Sequence, residues 1–245
     1  QSNTVPPTAA LASSGILTCT DTIIALSSST DGQIQQWSTL NGHFALPPAQ
    51  GAAAQVDAPG LYQITVTQPS NGCTASATVN VSADTILPLA DAGLPDTLDC
   101  LMASLQLNGS ASPGALIQWS TSNGMLLSNT TSLQPTVGQA GLYSLTVTNP
   151  ANGCTATDAV LIINDADAPM VSIATPAQLT CTQQSVTLNA QMTPENASVT
   201  ILWSTLDGQI LNGDHTLQPL VSMAGYYSLT VTNLANGCTA SATQV

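Results

Sequence analysis

The sequence contains no lysine and no arginine. A chain of 245 residues would ordinarily carry about 30 of them, roughly half of the one-quarter of residues that are charged. Nucleic-acid binding needs cations to replace phosphate counterions, so a nucleic-acid partner is excluded. Anionic membrane surfaces are excluded for the same reason. Neither a Lys/Arg ion pair nor a lysine-derived isopeptide cross-link can form. No run approaches 18 apolar residues, so no membrane insertion by a helix is expected. The first residue is Gln, and no signal-peptide n-region or h-region is visible, which reads as a mature or excised segment. G-x-S-x-G, P-loop and H-E-x-x-H motifs are missing, as are close C-x-x-C pairs, so neither an enzyme nor a cofactor is expected. His43 and His215 lie in different parts of the chain without counterparts and read as turn or surface residues.

What is present is 43% apolar residues, enough for real cores, with 13 acids giving a net charge of −13. Ser, Thr, Asn and Gln keep the rest of the surface wet. Six cysteines organise the sequence: Cys19, Cys73, Cys100, Cys154, Cys181 and Cys238. Cys19 to Cys100 and Cys100 to Cys181 are each 81 residues. Around this period the chain aligns with itself. Trp37-Ser38-Thr39 is matched by Trp119-Ser120-Thr121 and Trp203-Ser204-Thr205. GLYQITVT from Gly60 is matched by GLYSLTVT from Gly141 and GYYSLTVT from Gly225. Each repeat then reaches Asn-Gly-Cys-Thr, at Asn71, Asn152 and Asn236. The repeats are 1–83, 84–165 and 166–245, the last with an incomplete final strand.

Apolar residues alternate with Ser and Thr at period two, and Asn-Gly and Asp-Gly steps punctuate the runs, with no competing helical period. This predicts an all-β chain of three tandem antiparallel β-sandwiches of about seven strands each, arranged as a rod. With aromatics at 3%, Trp37, Trp119, Trp203, Tyr62, Tyr143 and Tyr227 are the expected core anchors.

The stretches LADAGLPDTLDC, SLQLNGSAS, IQWSTSNG and AGLYSLTVTNPANGCTATDAV resemble the PKD-type and immunoglobulin-like repeats of Bacteroidetes cell-surface proteins. The resemblance spans all three repeats. It implies an Ig-like or PKD-like sandwich and a place among cell-surface adhesins and gliding-associated proteins.

The cysteine spacing is read as one disulfide per repeat, Cys19 with Cys73, Cys100 with Cys154 and Cys181 with Cys238, at separations of 54, 54 and 57 residues. Disulfides place the chain outside the reducing cytosol, extracellular or at a cell surface. Asp84 and Asp91, near the first junction, and Asp165 and Asp167, at the second, are weak calcium candidates. The alternative is that these acids simply keep the chain soluble. Asp21-Thr22-Ile23, Asp84-Thr85-Ile86 and Asp96-Thr97-Leu98 match a D-[ST]-[AILVMT] pattern used for O-glycans in Bacteroidetes, giving Thr22, Thr85 and Thr97 as candidates. The N-x-[ST] matches are at Asn80, Asn108, Asn129 and Asn196.

Three functions stand open: a structural repeat or subunit of an extracellular filament, an adhesin stalk or ligand-binding module, and an enzyme accessory domain. The first repeat departs from the others at LPPAQGAAAQVDAPG from Leu46, as a ligand-binding repeat would. The ends favour the filament, because TASATQV after Cys238 is a shortened last strand and QSNTVPPTAALASSG supplies its continuation. The expected partner is therefore the chain itself, head to tail through Gln1–Gly15 and Cys238–Val245.

Overall fold

Alternation at period two assigns each strand a buried and an exposed face, and the first repeat shows how. A computed structural model describes residues 4–31, 34–46, 51–195 and 198–245, all as strand, turn or irregular chain. The strands of the first repeat are β1 (Ala9–Ser13), β2 (Leu17–Thr18), β3 (Ile24–Thr30), β4 (Ile34–Thr39), β5 (Ala53–Val56), β6 (Gly60–Thr67), β7 (Thr74–Val81) and β8 (Ala83–Asp84). In β6, Tyr62, Ile64 and Val66 are fully buried while Leu61 faces outward. Each such side chain contributes about 1.5–3 kcal/mol by leaving water.

One sheet has the order β1-β3-β5 and the other β4-β6-β7, all antiparallel. Their inner faces meet in a core of Leu17, Ile24, Leu26, Trp37, Ala54, Val56, Tyr62, Ile64, Val66 and Val81. The short strands β2 and β8 pair in parallel, Leu17 with Ala83 and Thr18 with Asp84. This register puts the turn after β2 at the opposite end of the sandwich from the turn between β6 and β7.

The same devices recur along the chain. Asp96–Asp99 runs parallel to Ile162–Asp165, as β2 does to β8. In the third repeat Tyr227–Asn233 lies between Val199–Thr205 and Thr239–Gln244, and its buried Leu229 and Val231 join Val186, Leu188 and Trp203 in one core. Tyr227 is paired with Gln244, so the last strand is paired along all six of its residues.

Two hallmarks identify these sandwiches as immunoglobulin-like. A buried tryptophan lies on the strand that pairs with the Gly-x-Tyr strand, and its indole N–H donates to a carbonyl: Trp37 to Gly51, Trp119 to Ser132 and Trp203 to Thr216, at 3.0, 3.0 and 2.8 Å. A buried tyrosine hydroxyl donates to the carbonyl four residues upstream: Tyr62 to Ala58, Tyr143 to Gln139 and Tyr227 to Met223.

The chain forms two compact units, one of Gln1–Asp91, Ser110–Gln118 and Leu145–Asp158 and the other of Ala92–Gly109, Trp119–Ser144 and Ala159–Val245. Residues of the middle repeat belong to both. No helix among the described residues is long and apolar enough to cross a membrane.

Candidate functional site

The three Asn-Gly-Cys-Thr segments fold into the same turn. The glycine N–H donates to the residue four back, Gln68, Asn149 or Asn233, and the asparagine Oδ1 accepts from the cysteine N–H at 2.9, 2.9 and 3.0 Å. The glycines sit at φ +70°, +70° and +69°, a left-handed conformation that glycine adopts without penalty.

Within the first unit this turn is the socket of a clasp between two sequence repeats. Asn152, 1% exposed, donates through Nδ2 to Asp84 Oδ1 at 2.9 Å and to the Ile86 carbonyl at 3.0 Å. Its own carbonyl accepts the Cys19 N–H at 3.1 Å. Beside it Cys19 and Cys154 are disulfide-bonded, with Cα atoms 5.0 Å apart. Gly153 lies so close to Thr20 that an added Cβ would stand 2.3 Å from Thr20 Cγ2.

The second unit repeats the arrangement. Asn236, 2% exposed, donates to Asp165 Oδ1 at 2.8 Å and to the Asp167 carbonyl at 3.1 Å, and its carbonyl accepts the Cys100 N–H at 3.1 Å. Cys100 is bonded to Cys238, and an added Cβ on Gly237 would meet Leu101 Cγ at 2.2 Å.

These bonds correct the within-repeat pairing expected from spacing. Cys19 pairs with Cys154 instead of Cys73, and Cys100 pairs with Cys238 instead of Cys154. Cys73 and Cys181 are free, so Cys181 does not pair with Cys238 either. The reason is the register of β2 on β8. Cys19 follows Thr18, which pairs with Asp84, whereas Cys73 precedes Thr74 at the other end of β7. Some ten residues of extended chain separate those ends, roughly 30 Å. A disulfide tolerates a Cα separation of only about 7 Å. A cysteine at the end of one repeat reaches only the turn of the next.

The remaining candidates take plainer places. Asp84 and Asp165 are acceptors for the clasp asparagines. Asp91 accepts from Ser110 Oγ at 3.4 Å, and Asp167 contributes its backbone carbonyl to the clasp. Among the described residues no group of three or more His, Cys, Asp or Glu side chains is placed to hold a metal ion. Thr22 and Thr85 are exposed, and Thr97 is half-buried. Asn80, Asn108 and Asn129 are exposed, while Asn196 lies outside the described residues, as do positions 47–50 of the divergent segment after Leu46. Exposed His43 contacts Asp57 Oδ1 through Nδ1 at 2.6 Å, and exposed His215 contacts the Ile201 carbonyl. Of the Gln1–Gly15 segment, Ala9–Ser13 is committed to its own repeat as β1, and the Val5 carbonyl accepts from Asn71 Nδ2 at 2.9 Å.

In the sequence the clasp asparagines read only as Asn-Gly turn residues, and nothing marks Thr20 or Leu101. The available signal was that Asn-Gly-Cys recurs unchanged in all three repeats, where a turn alone would have tolerated Asp-Gly.

No protein-family model matches the chain, and no curated protein matches it. Among solved structures it is similar to a three-Ig segment of titin, domains I67–I69 in an E-to-A mutated variant, at 12% identity over 98% of each chain and a TM-score of 0.40. It is similar to the N-terminal eight Ig domains of Down syndrome cell adhesion molecule, at 13% identity over 100% of this chain and 40% of that one, TM-score 0.38. The three N-terminal domains of the highly immunogenic outer capsid protein of bacteriophage RB49 match at 11% identity over 97% of each chain, TM-score 0.36.

Proposed function

We propose that this chain is a structural repeat segment of an extracellular bacterial surface filament, joined end to end with further copies of itself. The observation that carries the reading is that both disulfides tie one sequence repeat to the next instead of closing a repeat on itself. A staple inside a sandwich stabilises that sandwich alone, whereas a staple across a joint carries load along the chain and restrains the joint. Two such disulfides call for an oxidising compartment, and the resemblance to Bacteroidetes surface repeats supports the same location. These 245 residues offer trypsin-like proteases no lysine or arginine at which to cut. The reading includes no catalysis: exposed His43 and His215 lie in different repeats, and Asp84 and Asp165 accept from the clasp asparagines.

End-to-end joining through the Gln1–Gly15 and Cys238–Val245 regions is part of the proposal. Because β1 is committed internally and the Val5 carbonyl is held by Asn71, the turn surfaces are what this reading offers to a neighbour. Electron microscopy of native material tests the reading. A regular fibre with an axial repeat of one or three modules supports it, and isolated stalks on a larger surface protein would replace it with an adhesin stalk.

A further inference from the structure

The two free cysteines are one of each kind. Cys73 belongs with Cys154 and Cys238, the sockets in Asn-Gly-Cys turns. Cys181 belongs with Cys19 and Cys100, the plugs that follow the short parallel strand. Twice in this chain a plug is bonded to the socket of the following repeat. We propose that Cys181 of one copy forms a disulfide with Cys73 of a second copy, so that end-to-end joining, on which this inference rests, is covalent.

Both halves already hold the bonded conformation. Around plug Cys19, Thr18 Oγ1 lies 3.1 Å from Thr20 Oγ1 and accepts the Asp21 N–H at 2.9 Å. Around Cys181, Thr180 Oγ1 lies 3.1 Å from Thr182 Oγ1 and accepts the Gln183 N–H at 3.0 Å. The socket at Cys73 has the glycine φ of +70° and the Asn71 Oδ1 to Cys73 N–H bond of the occupied sockets. Asn71 Nδ2 grips the Val5 carbonyl as Asn152 grips that of Ile86 and Asn236 that of Asp167.

What the Cys73 socket lacks is cover. Cys154 and Cys238 are 0% and 1% exposed, and Asn152 and Asn236 are as deeply buried, whereas Cys73 and Asn71 are only half-buried. Gly153 and Gly237 press against Thr20 and Leu101, whereas an added Cβ on Gly72 meets nothing within 4 Å. Thr182, the residue after plug Cys181, is exposed and matches the Thr20 that covers Gly153. A second copy's Cys181-Thr182 therefore supplies the same plug that Cys19-Thr20 supplies internally. Preformed halves reduce the ordering cost of association.

Bond formation is an oxidation and takes its electrons to a low-molecular-weight disulfide. The exposed Cys181 thiolate attacks that disulfide, giving a mixed disulfide and one released thiolate. The Cys73 thiolate of the second copy then attacks Cys181 Sγ, forming the S–S bond and releasing the second thiolate. Two protein thiols become one disulfide, and the external disulfide becomes two thiols that carry the two protons.

The test incubates the full chain with oxidised glutathione, follows it on non-reducing gels and maps it by pepsin digestion in acid, where thiolate exchange is quenched and no lysine or arginine is needed for cleavage. The expected result is a ladder of covalent multimers with a peptide joining Cys73 to Cys181. Cys73→Ser alone and Cys181→Ser alone should each stay monomeric, and a mixture of the two should give a single dimer band. Cys73–Cys73 or Cys181–Cys181 dimers in either variant, or a Cys181 peptide from native material joined to sequence outside this chain, overturns the inference. Strings seen by microscopy under reducing conditions without the cross-linked peptide in oxidised material overturn the covalent bond and leave end-to-end joining standing. Monomers under both conditions overturn both.

Discussion

Cys19 and Cys154 are bonded across 135 residues of chain, while Cys73, the cysteine nearest to Cys19 in sequence, is left free. The chain-entropy model gives a closed loop of that length about 5 kcal/mol of stabilisation, and native disulfides are worth about 2–5 kcal/mol on removal. Replacing Cys19 and Cys154 together by Ala should lower stability by that amount in urea unfolding. Cys73→Ala in a monomeric preparation should change it by less than about 1 kcal/mol. Equal losses from the two variants would contradict the pairing.

The clasp asparagine should matter as a buried polar hub. Asn152 uses Nδ2 twice and Oδ1 and its carbonyl once each, all at 3.1 Å or less. Asn152→Ala leaves the Asp84 carboxylate and the Ile86 carbonyl without this donor and should cost about 2–4 kcal/mol. Asn152→Asp keeps the acceptor for Cys154 N–H but sets a second carboxylate against Asp84, and thermal melting should place it no better than the Ala variant.

Glycines of one motif should separate by position. Gly153→Ala meets Thr20 at 2.3 Å and also forces a left-handed φ, so a loss of about 3 kcal/mol or more is expected. Gly72→Ala faces open space and incurs only the left-handed penalty, about 1–2 kcal/mol. A Gly72→Ala loss as large as that of Gly153→Ala, in monomer, would mean that the socket is already covered.

How far the sequence led is visible in these same residues. Trp37 and Tyr62 were legible as buried anchors because aromatics are so rare and both fall on the apolar phase of an alternating strand. Strand identity along Gly60–Thr67 was legible for the same reason. The disulfide partners were not. Spacing along a chain reports contour length, and in a sandwich the two ends of one repeat are a strand length apart while the facing ends of successive repeats touch. Reading the partner of Cys19 required knowing that Leu17–Thr18 pairs in parallel with Ala83–Asp84, a contact between segments with no local sequence signal. Asn152 was legible as a turn and not as a clasp, because its Nδ2 partners lie 68 and 66 residues away.

Salt should leave the melting temperature nearly unmoved. No lysine or arginine exists to form an ion pair, and the acid–histidine contacts of His43 and His215 are exposed. Going from low to moderate sodium chloride should shift the transition by no more than a few degrees. Millimolar calcium chloride at matched ionic strength should add nothing further, since Asp84 and Asp165 already accept from clasp asparagines. A rise of many degrees specific to calcium would make Asp84, Asp91, Asp165 and Asp167 ligands after all.

Alkaline pH should attack the tyrosine corner of the first repeat. Burial of Tyr62 raises its phenol above the ordinary value of 10.0, the Asp57 charge pushes the same way, and the hydrogen bond from the His43 N–H opposes them. Its hydroxyl donates to the Ala58 carbonyl at 2.6 Å, a bond that needs the proton. With the folded value above the unfolded one, the folded state keeps a proton that the unfolded chain releases. The stabilisation is therefore complete below the unfolded value and disappears as pH climbs from there through the raised folded value. Tyr62→Phe should cost about 1–2 kcal/mol at neutral pH by removing the donor to Ala58 and the acceptor for His43 N–H. It should also flatten the fall in stability above about pH 10, measured by urea unfolding across pH 8 to 11. If wild type and Tyr62→Phe lose stability in parallel over that range, the phenol does not titrate with unfolding, and the corner contributes through packing alone.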